Sequence, residues 1–330
     1  MAILYSYEHI GVKDQVANEI SMLTPEETMF WSTMGKKPIV NQIHQWEIDS
    51  LDAPGENAWP ENVKWADVPK DYGPTVMLKN TAQKLLKGLA VTSEAQKQAY
   101  YAGTGQLDRQ SKKRSAELKA DFEWALFNNT TIVYAARDTD GTSIAAKMGG
   151  VKCLISSTDG GVTISADPLK GIETYIVSDS ALPTEDDIKD GLKRLKTLGA
   201  RPEILMASMD MSDIISGMQE KTGENGNRVR VFENSKEVSW EVSTLTDAFG
   251  QTVKIMFNPA MPAGSVFIYN SEDWQEAVFE APEVIAPPKD GDADEVIFKL
   301  FSGVEHSNPW KSVWIEGKPS DPVQSTKKAA

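Results

Sequence analysis

The spacing of apolar residues changes several times along the 330-residue chain, and each change predicts an element. In residues 1–23 single apolar side chains (Ile3, Leu4, Tyr5, Tyr7, Ile10, Val12) alternate with polar and charged ones, and Val16, Ile20 and Leu23 fall on one helical face. That segment is too sparse to form a core alone and has to lie on something else. Thr24, Pro25 and Glu27 form a capping-box pattern for a short helix through Phe30 and Trp31 that stops near Gly35. An extended run follows over Pro38–Leu51, with Val40, His44, Trp46 and Ile48 on one parity and Asn41, Gln45, Glu47 and Asp49 on the other. A second run, Val76–Val91, is ambiguous between strand and helix by period, and Thr81, Gly88 and Val91 favour strand. The two runs predict one long hairpin. With arms of about 14 residues at roughly 3.3 Å each, it would project about 45 Å.

Between the arms, residues 52–75 have no period at all. Pro54, Pro60, Pro69 and Pro74, with Gly55 and Gly73, exclude a helix or a ladder. Yet the loop holds Trp59, Trp65 and Tyr72, and disordered segments are poor in aromatics. Large aromatics on a long irregular loop are best explained by a surface met outside the loop's own domain. The chain reads as a building block whose loop packs on a neighbour.

Thr92 or Ser93 predicts the start of a short helix ending at Gly103. Leu107–Asn128 is the clearest helix, free of Gly, Pro and β-branched residues. Its apolar stripe (Leu118, Phe122, Ala125, Leu126) occupies only the second half. The first half is polar, with Asp108 spaced to pair with Lys112. Residues 130–182 read as short strands around glycine turns: TIVYAARD, VKCLIS, VTIS and ETYIVS. Thr184 caps a helix EDDIKDGLKRLKTLG with acids in its first turn, Lys193, Arg194 and Lys196 in its last, and Gly199 as stop signal. EILMAS is a buried-strand run and MDMSDIISGMQ a short helix. From Arg228 onward the pattern is all strand, and PSDPVQSTKKAA is a solvated tail.

Charge narrows the function classes. The formal net charge is −14, which argues against tight sequence-reading of nucleic acid but not against enclosing it. The one cysteine, Cys153, lies in an apolar run and reads as a buried, inert thiol in a reducing compartment. No signal peptide and no spanning segment is expected. The sequence carries no motif of a known catalytic or ligand-binding chemistry. There is no phosphate loop or nucleophile elbow, Gly103 and Gly105 lack a third glycine, and His9, His44 and His306 lie in separate segments. Asp138–Gly141 fails the calcium-loop template at Ala136 and Lys147. The acidic run 290–295 reads as a solvated loop, and Trp310 with Trp314 as core or interface packing. No catalytic residue, cofactor or metal is expected.

The order of elements resembles the Hong Kong 97-like fold of tailed-bacteriophage major capsid proteins, an α+β fold. The sequence is similar to one branch of that family over LYSYEHIGVKDQVANEISMLTPEETMFWSTMGK (4–36), HQWEIDSL (44–51), KNTAQK (79–84), VTSEAQKQAYYAG (91–103) and KRSAELKADFEWALF (113–127). It continues over TEDDIKDGLKRLKTLGARPEILMAS (184–208) and TDAFGQTVKIMFNPAMP (246–262). The opening and the 44–51 block are the specific parts.

That resemblance implies an N-terminal arm and short helix (1–37), an extended loop lying over an adjacent subunit (38–91), and a peripheral domain (92–150) with a spine helix over 107–128. It further implies an axial domain (151–285), strands returning to the peripheral domain (286–317) and a tail (318–330). It implies a subunit that assembles into the pentamers and hexamers of an icosahedral or prolate head enclosing double-stranded DNA. The implied partners are copies of itself, a separate scaffolding protein, a portal and decoration proteins. The chain would be made in the host bacterial cytoplasm and end in the virion, without catalytic turnover or a membrane. Some relatives cross-link lysine to asparagine; Lys64, Lys70 and Asn80 are present, but nothing in the sequence selects them. Candidate contact residues between subunits are Tyr5, Tyr7, Trp46, Trp59, Trp65 and Tyr72, with the basic cluster Arg109, Lys112, Lys113 and Arg114. Two alternatives stand beside this reading: an encapsulin shell, which shares the fold, and an acidic cytoplasmic enzyme with its site in the 184–220 unit.

Overall fold

The structure is a computed structural model and describes residues 28–49, 55–70, 75–98, 105–155, 172–217, 220–222, 228–230, 244–246, 250–289 and 291–318. The chain begins with α1 (Met29–Thr33), β1 (Gly35–Pro38), β2 (Ile43–Ile48), β3 (Val76–Thr81), β4 (Gln83–Thr92), α2 (Ser93–Lys97) and α3 (Gln106–Asn128). The middle holds β5 (Ala136–Arg137), β6 (Ser143–Ile144), α4 (Val151–Ile155), β7 (Tyr175–Val177), α5 (Glu185–Leu198), β8 (Ile204–Ala207) and α6 (Ser212–Gly217). It continues with β9 (Glu220–Thr222), β10 (Arg228–Arg230), β11 (Thr244–Thr246), β12 (Thr252–Phe257), β13 (Ser265–Tyr269), β14 (Trp274–Ile285), β15 (Ala293–His306) and β16 (Val313–Glu316).

Two sheets carry the fold. One has the order β1-β14-β15-β4, the other β11-β12-β8-β13-β16-β7. In the first, β4 alternates between half-buried and exposed residues, and α3 lies against its inner face and against β15. Asp121 of α3 pairs with Lys87 of β4 at 2.8 Å. In the second, β8 is buried at every position, flanked by β12 in parallel and β13 antiparallel, as its unbroken apolar run requires. Helix α5 covers this sheet with Ile188, Leu192 and Leu195. Its ends follow the sequence: the Thr184 hydroxyl and the Asp187 carboxylate cap each other's backbone N–H, and Gly199 closes the helix at φ 86°.

Four expectations are corrected. The long hairpin is short: β2 and β3 pair over six residues each, about 20 Å. After Ala82 the returning arm pairs instead with β15, from Gln83 against Ser302 to Thr92 against Ala293. Its alternating face is needed against α3, so it stays in the sheet rather than projecting. VKCLI is a helical turn, not a strand. A short apolar run has no period to separate the two, and the chain here passes directly over α3. A Cβ at Gly150 would sit 2.4 Å from the Leu126 carbonyl oxygen, so only glycine permits that approach. The segment boundaries also move. β14, assigned with 151–285, pairs with β15, and β16, assigned with the returning strands, inserts between β13 and β7 of the other sheet. A strand's own sequence does not announce which sheet it joins. The last correction concerns α2, which ends at Lys97 with Gln98 as its C-cap rather than at Gly103. The capping box at Thr24–Glu27, the turn at 159–161 and the VTIS run lie outside the described residues.

One cluster of buried side chains joins the two sheets. Phe30 of α1 is its centre, with ring centroids 5.2–5.5 Å from Phe127 (α3), Phe267 and Tyr269 (β13) and Trp274 (β14). Beside it Glu123 of α3 is only 1% exposed. Its carboxylate accepts hydrogen bonds from the backbone N–H groups of Phe30 (2.8 Å) and Trp31 (3.0 Å) and from Asn258 Nδ2 (2.6 Å). A carboxylate at a helix N-terminus satisfies donors the helix itself leaves open. Burial pushes the Glu123 carboxyl above the usual carboxylate range, and the three donors oppose that shift. His306, at the end of β15, is also buried. Its Nε2 lies 3.0 Å from Ser312 Oγ, and its ring stacks 4.0 Å from that of Trp274. Burial, with Lys311 adding to it, lowers its pKa to about 3.

Two outcomes follow from these buried groups. Glu123→Ala should lower the unfolding free energy of the isolated subunit by about 3 kcal/mol, because three buried donors lose their acceptor; Glu123→Gln, which keeps one acceptor, should cost less. Urea unfolding measures both, and a loss under about 1 kcal/mol for Glu123→Ala would show that the donors find other partners. His306 gives a pH dependence. Its folded pKa lies below the unfolded value of 6.5, so its stabilising effect is full above pH 6.5 and is lost as pH falls toward 3. At pH 5 the loss should be about 2 kcal/mol relative to pH 8. Urea midpoints of His306→Gln should fall less steeply between pH 7 and 5 than those of the parent. A residual slope is expected from His44, whose pKa burial also lowers.

Candidate interface surfaces

Large apolar side chains that face solvent in a single subunit mark where a shell subunit would meet a neighbour. Trp65 is 85% exposed and Trp59 47%. The proline-broken backbone of 55–70 holds them out, and no side chain beyond the loop contacts them among the described hydrogen bonds and ring contacts. Trp59 Nε1 donates only to Asn57 Oδ1, at 2.6 Å. The β2–β3 hairpin adds exposed Ile43 and Met77, and Val40, 91% exposed, lies just before it. Trp46 differs. Its parity points inward, so it is half-buried, stacks on His44 with centroids 5.4 Å apart, and packs against the subunit's own core. Tyr5, Tyr7 and Tyr72 lie outside the described residues.

The basic cluster divides as well. Arg114 pairs with Glu117 on its own helix at 2.6 Å, and Arg109 donates to Gln106 at 2.9 Å. Lys112 and Lys113 are exposed and make no ion pair among the described residues, and the Asp108–Lys112 pair expected from spacing does not form. Nothing in the structure brings the loop tryptophans and this cluster together; they sit on different elements.

Asn80 is excluded from surface chemistry by its surroundings. It is fully buried, its Nδ2 donates to the Gly149 and Val304 carbonyls, and its Oδ1 accepts from the Thr81 and Gly149 amides. Trp310 and Trp314 are buried in the core. Among the described residues no cluster of His, Cys, Asp or Glu could hold a metal, and no helix is long and apolar enough to cross a membrane. Glu123 escaped the sequence reading because a lone glutamate in KADFEWALF looks solvated. The signal was its place three and four residues before Leu126 and Phe127, on the flank of the apolar stripe.

The solved structures define the class. The capsid of the native GTA particle aligns with a TM-score of 0.63, 10% identity, and 94% of this chain on 97% of that one. The holo-SrpI encapsulin complex from Synechococcus elongatus PCC 7942 aligns at 0.54 with 11% identity, covering 93% and 92%. The fold is the Hong Kong 97-like shell fold, α+β. Sequence then separates phage capsid from encapsulin. The model of the family described as SU10 major capsid protein matches residues 4–319, and the major capsid protein of Escherichia phage Phieco32 is 32% identical over 94% of this chain and 95% of its own length. The chain belongs to the SU10 major capsid protein family and is a shell-forming structural subunit of a phage capsid.

Proposed function

We infer that this subunit builds the pentamers and hexamers of an icosahedral or prolate head around double-stranded DNA. In that shell the loop within 38–91 is the element that grips an adjacent subunit. The observation that supports this is the pair Trp59 and Trp65, held in solvent on a loop that contributes nothing to the subunit's own core. Helix 107–128 would be the spine of the peripheral part, with the four-stranded sheet, and the six-stranded sheet would form the axial part. A scaffolding protein, a portal and decoration proteins would be its partners, and the host bacterial cytoplasm the place of synthesis. The role needs no catalytic turnover. The net charge of −14 suits a wall that encloses DNA without adhering to it, since like charges repel.

The test is electron microscopy and gel filtration of the expressed protein, with its scaffold where required. Closed shells at megadalton size are expected; a small soluble oligomer with none under any assembly condition would refute the reading. Trp59→Ala with Trp65→Ala should leave subunit unfolding within about 0.5 kcal/mol of the parent, as for other exposed sites. It should nonetheless reduce shell yield severely, because each tryptophan would bury apolar area worth about 1.5–3 kcal/mol on assembly. Normal yield would remove the loop from the interface.

A further inference from the structure

Two adjoining hollows run between the polar half of α3 and the β14–β15 hairpin. The larger, about 440 Å³, is lined by Thr28, Ser111, Lys112, Ala116 and Ala120. The second, about 200 Å³, is lined by Trp31, Leu118, Pro282, Val284 and Leu300. They share Ser115, Lys119 and Phe298. Val284 is 62% exposed at the groove's edge, beside Pro282, Phe298 and Leu300. We propose that this groove is the seat of the chain's own residues 1–27, docked with Val16, Ile20 and Leu23 inward on the subunit that carries them. The proposal deepens the reading of the chain as a shell subunit and rests on it.

Three observations select that occupant. Thr28, the first described residue and the one bonded to this segment, itself lines the groove. The charges complement each other. Residues 1–27 carry Glu8, Asp14, Glu19, Glu26 and Glu27 against Lys13, while the groove presents Lys112 and Lys119, which have no acidic partner among the described residues, together with Lys299, paired to Glu280, and a single acid, Glu283. The dimensions also agree. The groove follows α3 from Ser111 to Ala120, about 14 Å at 1.5 Å per residue, and an apolar face from Val16 to Leu23 in helical form would span about 11 Å. Ser111, Ser115, Ala116 and Ala120 are small, which lets a second backbone approach α3 closely. A polar helix half with an apolar wall beside it is otherwise unexplained, because the subunit's own described residues leave it uncovered.

The test is a disulfide trap in assembled shells of the full chain. Ile20→Cys is combined with Ala116→Cys, and, as control, with Lys193→Cys, an exposed position on α5. Cys153 stays, since it is buried, and each single variant reports any reaction with it. Mild oxidation should link Ile20→Cys to Ala116→Cys within one chain at least about tenfold faster than the control pair, given the high effective concentration of docked segments. Interchain dimers from the same pair would place a neighbour's segment in the groove and overturn the proposal, as would equal rates for both pairs. If the double variants do not assemble, zero-length carboxyl-to-amine coupling of unsubstituted shells replaces the trap. Links from Glu19, Glu26 or Glu27 to Lys112 or Lys119 within one chain, separated from interchain links by mixed isotope labelling, are expected. Their absence would overturn the proposal. Failure of these links in well-formed shells refutes the groove assignment alone, whereas failure to form shells with the unsubstituted chain refutes the shell reading.

Discussion

A single buried carboxylate ties the two sheets into one body. Glu123 projects from α3, caps the amides of Phe30 and Trp31 on α1, and accepts from Asn258 at the end of β12. Burying an ionised group is costly unless its hydrogen-bonding capacity is filled, and here three donors from two other segments fill it. Phe30 completes the joint by inserting its ring among Phe127, Phe267, Tyr269 and Trp274. The Trp31 indole carries the connection on to β14, donating to Glu276 Oε2 at 2.7 Å. α1, the four-stranded sheet and the six-stranded sheet therefore share one core rather than meeting across a wet boundary.

That rigidity matters because assembly has to happen at the edges. A subunit whose sheets moved freely would have to order them at the same moment as it docks, and the ordering entropy would be charged against each contact. Instead the subunit concentrates its exposed apolar surface at the periphery, in the loop tryptophans and the exposed hairpin residues. The interior is closed, with Asn80 and His306 held in fully enclosed sites.

Much of this was legible in sequence, for physical reasons that vary by element. α3 was readable because a long run free of helix breakers has few alternatives, and α5 because Thr184, Asp187 and Gly199 mark both ends chemically. The loop of 55–70 was readable as an outward surface because its prolines exclude ladder and helix while its tryptophans resist disorder. The extent of the hairpin was not. Val76–Val91 is one continuous pattern in sequence, and only the long-range pairing of β4 with β15 divides it. VKCLI failed for want of a period, and the partition between sheets failed because β14 and β16 exchange places relative to chain order. Trp46 lies half-buried beside His44, as its inward parity implies. Glu123 was missed because its three donors lie 92, 93 and 135 residues away, beyond any local signal.

A rigid interior joined at Glu123 and an assembly surface that is free until the shell forms leave separate traces in exchange. Backbone hydrogen exchange, measured residue by residue on the isolated subunit and on the closed shell, tests both halves at once. The Phe30 and Trp31 amides should exchange only with global unfolding in both states, while the amides of residues 55–70 should exchange freely in the subunit and become protected in the shell. Rapid local exchange at Phe30 and Trp31 in the isolated subunit, or a loop equally open in both states, would contradict it.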